Sequence, residues 1–353
     1  MRAAILQGSS ITIESLNDPR PTSGQILVAP ILSGICGSDL HFRARAIEAE
    51  VRTPVERRHT LPKIVPGHEF SATVIELGRE TKTPLRPGDR VATLPFTHSV
   101  SGFEVIGLSP LHIGGLSTLC LIDSIRAFKI PDNVPSDVAA LTEPMAVGLH
   151  AVNLANRNHG PNVVIGCGPV GLAVITALAN QDRRPIIAAD FSTTRRKAAE
   201  TLGADIVIDP SQESPFDRWE DLNFTPQPPS PLLERTFDGF LHGANIFECV
   251  GTPGLIDRVV KSAPRHSHVI VVGVCAHQDK LTPREAIIGE LTLEFSFAYR
   301  PVEFYEALKS IAKNSEQTAA MITSRLPLVE TPFAFERLSN RPEEIKILID
   351  PHA

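Results

Sequence analysis

The sequence predicts an α/β protein of two domains, on three observations. Over residues 1–140, short apolar runs alternate with turn residues, the pattern of strands. From Pro144 the pattern becomes strands alternating with helices, as in βαβ units of a doubly wound parallel sheet. A glycine-rich turn joins the first of these strands to its helix. The chain of 353 residues suits two domains of ordinary size.

In the first part, strands are expected at 3–6, 25–32, 71–77, 90–94 and 117–122, with turns at Pro66-Gly67 and Pro87-Gly88-Asp89. Residues 41–59, rich in Arg and Glu, read either as a solvated helix or loop or as a rim over the active site. In the second part, helices are expected at 146–155, 170–180, 193–202 and 254–262. Strands are expected at 162–165, 185–189, 205–208, 245–248 and 269–274. Residues 211–240, centred on the proline cluster Thr225–Pro231, read as a surface loop, because proline breaks helices and central strands. A strand at 291–297, a helix at 301–313 and a strand at 345–349 that returns to the first domain complete the chain.

With 42% hydrophobic and 21% charged residues, the composition is that of a folded globular protein. A net charge of -6 and the lack of a basic run argue against nucleic acid as a partner. Residues 1–10 carry no apolar signal-peptide core, and the apolar stretch 163–179 is too short and too broken to span a membrane. The five cysteines are scattered, as expected of reduced thiols in a cytoplasmic protein.

The turn reads Gly166-Cys167-Gly168-Pro169-Val170-Gly171, a G-x-G-x-x-G after a strand and at the start of a helix. In that context Gly166 permits the tight turn, Gly168 lets backbone approach a pyrophosphate, and Gly171 allows close helix–strand packing. The helix N-terminus at Pro169 and Val170 offers free N–H groups to the phosphates. Asp190 ends the next strand, where a carboxylate accepts hydrogen bonds from ribose hydroxyls and favours NAD over NADP. Arg195 and Arg196 follow, either as ordinary helix-surface residues or as groups that would favour the extra phosphate of NADP. These features predict a Rossmann cofactor domain.

Three further segments supply zinc-type donors: Gly34-Ile35-Cys36-Gly37-Ser38-Asp39-Leu40-His41, Pro66-Gly67-His68-Glu69 and Leu141-Thr142-Glu143-Pro144. By spacing alone they form no ligand motif, since a buried Cys or a loop His is usually structural. Together with Pro87-Gly88-Asp89-Arg90-Val91, Gly114-Gly115, the run from Glu143 to His150 and the glycine turn, they resemble the medium-chain zinc-dependent alcohol dehydrogenases. The resemblance is to the sorbitol, threonine and butanediol dehydrogenase branch and covers essentially the whole chain.

That resemblance implies a GroES-like, mostly-β catalytic domain over 1–150 and 291–353, and a doubly wound Rossmann domain over 151–290. It implies one catalytic zinc, with Cys36, His68 and Glu143 as ligands and Glu69 ligating directly or leaving as water or substrate exchanges. Asp39 is expected to orient His68. Ser38, with His41, is expected to relay the alcohol proton, His41 alternatively standing as a rim residue over the cofactor ribose. Segments bearing Val250, Val272 and Val274 are expected along the nicotinamide in the cleft between domains. Many relatives carry a second zinc on four close cysteines, but here residues 91–140 hold only Cys120 and the lobe is shortened to about 96–112.

The function implied is NAD-linked interconversion of an alcohol, most simply a secondary one, and its carbonyl product, by a homodimer or homotetramer. Phe96 is read as a pocket wall or as core, and Arg43, Arg45, Arg52, Arg57 and Arg58 as rim charge or as a draw for an anionic or polyol substrate. Two other readings stay open: a zinc-free reductase of activated C=C or iminium bonds, and a non-catalytic cofactor-binding protein on the same fold.

Overall fold

The computed structural model describes residues 1–99, 102–155, 160–216 and 243–353, with the side chains of 98 and 99 also left out. The expected proline-rich loop at Thr225–Pro231 lies outside the described residues. The chain divides into two compact units, one of Met1–Glu143 with Phe304–Ala353, the other Pro144–Glu303.

The first unit is organised on a seven-stranded, mostly antiparallel sheet around Gln25–Gly34. That strand pairs with Glu69–Leu77, Cys120–Asp123 and the carboxyl-terminal Lys346–Asp350. One face buries Ile26, Val28, Phe70, Val74 and Val91, a period-2 pattern that holds the register, since a one-residue slip would turn these side chains outward. In this register Gly34 stands opposite Glu69 on one side and Leu348 on the other. Five strands that the sequence pattern does not predict, Ser10–Ser15, Phe96–Ser99, Gly102–Val105, Ala127–Lys129 and Ile322–Pro327, are short, of three to six residues each.

The charged segment that reads as helix or loop is mostly helix. Gly37–Arg52 begins at Cys36, whose extended backbone serves as N-cap, and is followed by a 3₁₀ turn at Val55–Thr60. The Asp39 Oδ2 accepts the Cys36 N–H at 2.9 Å, satisfying a donor the helix cannot. The shortened lobe is a hairpin of Phe96–Ser99 and Gly102–Val105, with the Phe96 and Phe103 rings stacked at 4.8 Å.

The second unit is a six-stranded parallel sheet in the spatial order 206–208, 186–189, 162–165, 245–248, 268–271, 292–295. Its strands are nearly continuous apolar runs because both faces are covered. The chain winds outward from 162–165 in one direction and then in the other, so a crevice opens at the carboxyl ends of the central strands. Strand Thr292–Phe295, which the expected boundary at residue 291 assigns to the first domain, is the sixth strand of this sheet, paired with His268–Val271. Periodicity identifies it as a strand, but its partner is a long-range choice. No described helix is long and apolar enough to cross a membrane.

Glu303 clasps the helices of this unit. It lies in the first turn of Pro301–Lys313 and is 4% exposed. It accepts the Arg300 N–H at 2.7 Å, and its carboxylate meets His150 Nδ1 and Asn153 Nδ2, each at 2.9 Å. Burial pushes this carboxyl up, but the Arg300 N–H, Asn153 and His150 outweigh it, and the net displacement is downward. A carboxyl lowered in the folded state contributes stability above its ordinary range, and that stability is lost as pH falls through the folded value. Glu303→Gln should therefore cost about 2 kcal/mol at pH 7. It should also lose less stability than the parent on acidification below the ordinary carboxylate range, as read by urea unfolding at a series of pH values.

Candidate metal and cofactor sites

At the end of the central strand of the first unit, the chain turns from Gly34 into the helix that starts at Gly37. The turn carries Cys36, and the first helical turn carries Ser38 and Asp39. Across the sheet, Glu69 opens the neighbouring strand, with His68 immediately before it. Strand pairing of Gly34 with Glu69 brings the two segments together. Ligand atoms of Cys36, His68 and Glu69 lie within 4.8 Å of one another.

The surroundings orient these donors. Asp39 is buried, and its Oδ1 is 3.5 Å from His68 Nδ1. That carboxylate favours a proton on Nδ1 and leaves the lone pair on Nε2. Ser38 Oγ is 3.2 Å from that Nε2. Glu69 Oε1 is buried and makes no hydrogen bond. Orphaned polar atoms of this kind are rare in interiors and gather where a ligand completes the site. Thiol, imidazole and carboxylate form a donor set that suits zinc, so the residues present fit the metal.

Burial disfavours an imidazolium at His68, but Asp39 and Cys36 outweigh it and push its pKa well up. Burial and the Glu69 carboxylate push the Cys36 thiol up, against His68 and Lys346.

Glu143, the expected third ligand, lies half-buried in the first turn of helix Thr142–Leu154. It stands outside the 4.8 Å group but within electrostatic reach of Lys346. His41 is half-buried one turn beyond Ser38.

Sequence reasoning missed Lys346. This residue is 1% exposed, and its Nζ meets Glu69 Oε2 at 2.6 Å and the Ile35 carbonyl at 3.1 Å. Burial disfavours its charge, but Glu69 and Cys36 outweigh that and push its pKa up, so it remains an ammonium. The one available signal was a lysine inside an otherwise apolar strand at 345–349.

The glycine turn behaves as its motif requires. Gly166 has φ +90°, a conformation L side chains rarely adopt, and a Cβ on Gly171 would lie 1.8 Å from the Gly166 carbonyl oxygen. Space is open where a Cβ would stand on Gly168, which caps helix Pro169–Asn180, with Val170 following Pro169 in its first turn. Asp190 is buried, with Oδ2 accepting the Cys167 N–H and Oδ1 the Ser192 N–H, each at 2.8 Å. Arg195 Nη1 lies 3.9 Å from the same carboxylate, and Arg196 is bound to the Asp190 and Phe191 carbonyls and to Asp209.

Val250 and Val274 are exposed and Val272 is buried, all just past strand ends at the crevice. Glu248 Oε1 holds the Val250 and Gly251 N–H groups at 2.7 and 2.8 Å, a contact that sequence alone did not reveal.

Gly34 leaves room for the Glu69–Lys346 pair: a Cβ there would lie 2.4 Å from Glu69 Oε2 and 3.3 Å from Lys346 Cδ. Gly34→Ala should therefore cost about 3 kcal/mol, the range for disturbing a buried ion pair. Urea unfolding checks it, and a loss under about 1 kcal/mol would show that the pair shifts without strain.

The alcohol dehydrogenase GroES-like domain family matches residues 22–132, and the zinc-binding dehydrogenase family matches 169–313. The (R,R)-butanediol dehydrogenase of Bacillus subtilis (strain 168) is 30% identical, over 97% of each chain. Sorbitol dehydrogenase of Homo sapiens is 27% identical, over 92% of this chain and 89% of that one. The crystal structure of 2R,3R-butanediol dehydrogenase from Bacillus subtilis superposes with a TM-score of 0.78 over 99% of each chain, at 26% identity. With both halves of its sequence and its fold matched in this way, the chain belongs to the medium-chain zinc-binding alcohol dehydrogenase family.

Proposed function

We propose that this protein is an oxidoreductase that interconverts a secondary alcohol and its ketone, using one zinc ion and NAD. The observation that carries the reading is the cluster of Cys36, His68 and Glu69, whose ligand atoms lie within 4.8 Å of one another, with the buried Glu69 Oε1 making no hydrogen bond. Cys36 and His68 would hold the metal, with Glu143 as the third ligand and Glu69 in reserve. When bound, zinc supplies Lewis acidity toward the substrate oxygen and the nicotinamide accepts or returns the hydride.

The chain's own residues do the positioning and the proton handling. Asp39 holds the His68 ring so that Nε2 faces the donor cluster. Ser38, whose Oγ lies 3.2 Å from Nε2, would take the proton of the substrate hydroxyl and pass it by way of His41 toward solvent. Gly166, Gly168, Pro169, Val170 and Gly171 form the pyrophosphate cradle, and Val250, Val272 and Val274 border the nicotinamide. The intact donor set supports this reading over a zinc-free reductase of C=C or iminium bonds.

The choice of NAD rests on Asp190. Its two oxygens offer about four acceptor sites, of which backbone N–H groups use two, leaving two for ribose hydroxyls. Arg195, beside that carboxylate, then serves the cofactor rim and not a 2′-phosphate. Asp190→Ala should lower kcat/KM with NAD about tenfold and with NADP less, since the lost contacts are worth ~1.4 kcal/mol. Steady-state kinetics with both cofactors check this, and an equal loss with each would remove Asp190 as the discriminator.

A homo-oligomer is favoured by the edge strand Thr292–Phe295, which carries Phe295 at 69% exposure and is followed by Phe297 at 87%. The five free cysteines fit a reducing compartment such as the cytoplasm.

Elemental analysis and NADH formation on a panel of secondary alcohols, diols and polyols, with and without chelator, test the whole reading. Zinc near one per chain and turnover abolished by chelator are expected. Zinc-free protein whose turnover ignores chelator would overturn the metal mechanism.

A further inference from the structure

Lys346 is buried against the donor cluster, delivered by the carboxyl-terminal strand to a carboxylate 277 residues earlier in the chain. Glu69 is equally buried, at 1% exposure, with Oε2 taken by Lys346 and Oε1 without a hydrogen-bond partner. A carboxylate so enclosed needs a positive partner, because leaving a buried charge uncompensated is far more costly than pairing it. Two such partners exist for Glu69: the ammonium at 2.6 Å, and a cation held by Cys36 and His68, whose donor atoms lie within 4.8 Å of its own.

From this competition we infer that Lys346 is a positioning residue that keeps Glu69 a reserve ligand and so sets how tightly the protein grips its metal. The inference rests on the metal reading above. Lys346 is itself fixed, since Ile35 O accepts from Nζ at 3.1 Å and Gly34 provides the space for its stem. With Nζ anchored to backbone, the Glu69 carboxylate is drawn toward the strand Lys346–Asp350. Without the ammonium, the metal becomes the one remaining partner for that carboxylate, and Glu69 moves from reserve to permanent ligand.

This role is opposite in sign to that of a lysine which merely supports the fold. Loss of a supporting residue loosens the site and speeds metal release, whereas loss of a competitor slows it. Zinc transfer to a colorimetric chelator should be timed for the parent, Lys346→Met, Lys346→Arg and the double variant Lys346→Met/Glu69→Gln. Cobalt(II) absorption spectra of each add a view of the coordination number.

Lys346→Met should release zinc about tenfold more slowly, a difference of ~1.4 kcal/mol. Its cobalt absorption should differ from the parent's, as expected when a carboxylate replaces water as a ligand. Lys346→Arg should behave as the parent. The double variant leaves a neutral pair that folds without a buried charge, and it should return to the parent's release rate. Release from Lys346→Met at the parent's rate or faster would overturn the inference, as would slow release from the double variant. Failure of every form to hold zinc would instead remove the metal reading, and this role with it. Zinc held by all forms with one common release rate would remove only the role of Lys346.

Discussion

The ion pair between Lys346 and Glu69 is the contact on which the metal end of this protein depends. It is nearly inaccessible to water, and a buried pair is stable only where geometry and further hydrogen bonds offset the lost hydration. Both conditions come from the strand Gln25–Gly34. Its register sets Glu69 and the carboxyl-terminal strand on either side of Gly34, its last residue lacks a side chain where the carboxylate lies, and Ile35, just beyond it, supplies the second acceptor. The same strand end leads into the helix that presents Cys36, Ser38 and Asp39. A slip of one residue would turn Glu69 to the opposite face and separate it from Cys36 and Lys346.

Polar groups around this pair divide into those that are satisfied within the chain and those that are not. Asp39 Oδ2 is bound to the Cys36 N–H, its Oδ1 faces His68 Nδ1, and Glu69 Oε2 is bound to Lys346, while Glu69 Oε1 has no hydrogen bond. Folding therefore leaves a small, preformed demand for positive charge in an otherwise apolar setting. The cofactor side works by a different constraint, the absence of side chains. At Gly171 a Cβ would strike the Gly166 carbonyl oxygen, Gly166 itself holds φ +90°, and space is open beside Gly168 at the start of the helix.

Local chemistry was legible wherever a residue's role is set by its near neighbours in the chain. Gly166, Gly168 and Gly171 fall between a strand and a helix, where Gly166 takes a positive φ and Gly171 leaves no room for a Cβ. By contrast, Asp39 faces His68 only because the pairing of Gly34 with Glu69 brings their two segments together, a contact that family resemblance and not local sequence led us to expect. The strand at 292–295 was visible as a strand but not as the sixth member of the parallel sheet, since periodicity does not name a partner. Glu303 gave no sign of its bonds to His150 and Asn153, which lie some 150 residues earlier. Donors gathered from three separate segments acquired meaning through family resemblance, because spacing along the chain carries no distance in space.

By itself, then, the sequence determined the two kinds of domain, the dinucleotide turn with its acidic partner Asp190, and the identity of the metal-type donors. These come from side-chain period, from backbone freedom at glycine and from the intrinsic chemistry of thiol, imidazole and carboxylate. Tertiary structure alone decided that Glu69 shares its pocket with Lys346, that Glu143 stands apart from the tightest cluster, and that Glu303 ties two helices together. The reason is physical: burial and charge pairing are properties of space, and strands hundreds of residues apart come into contact only when the sheet has chosen its order.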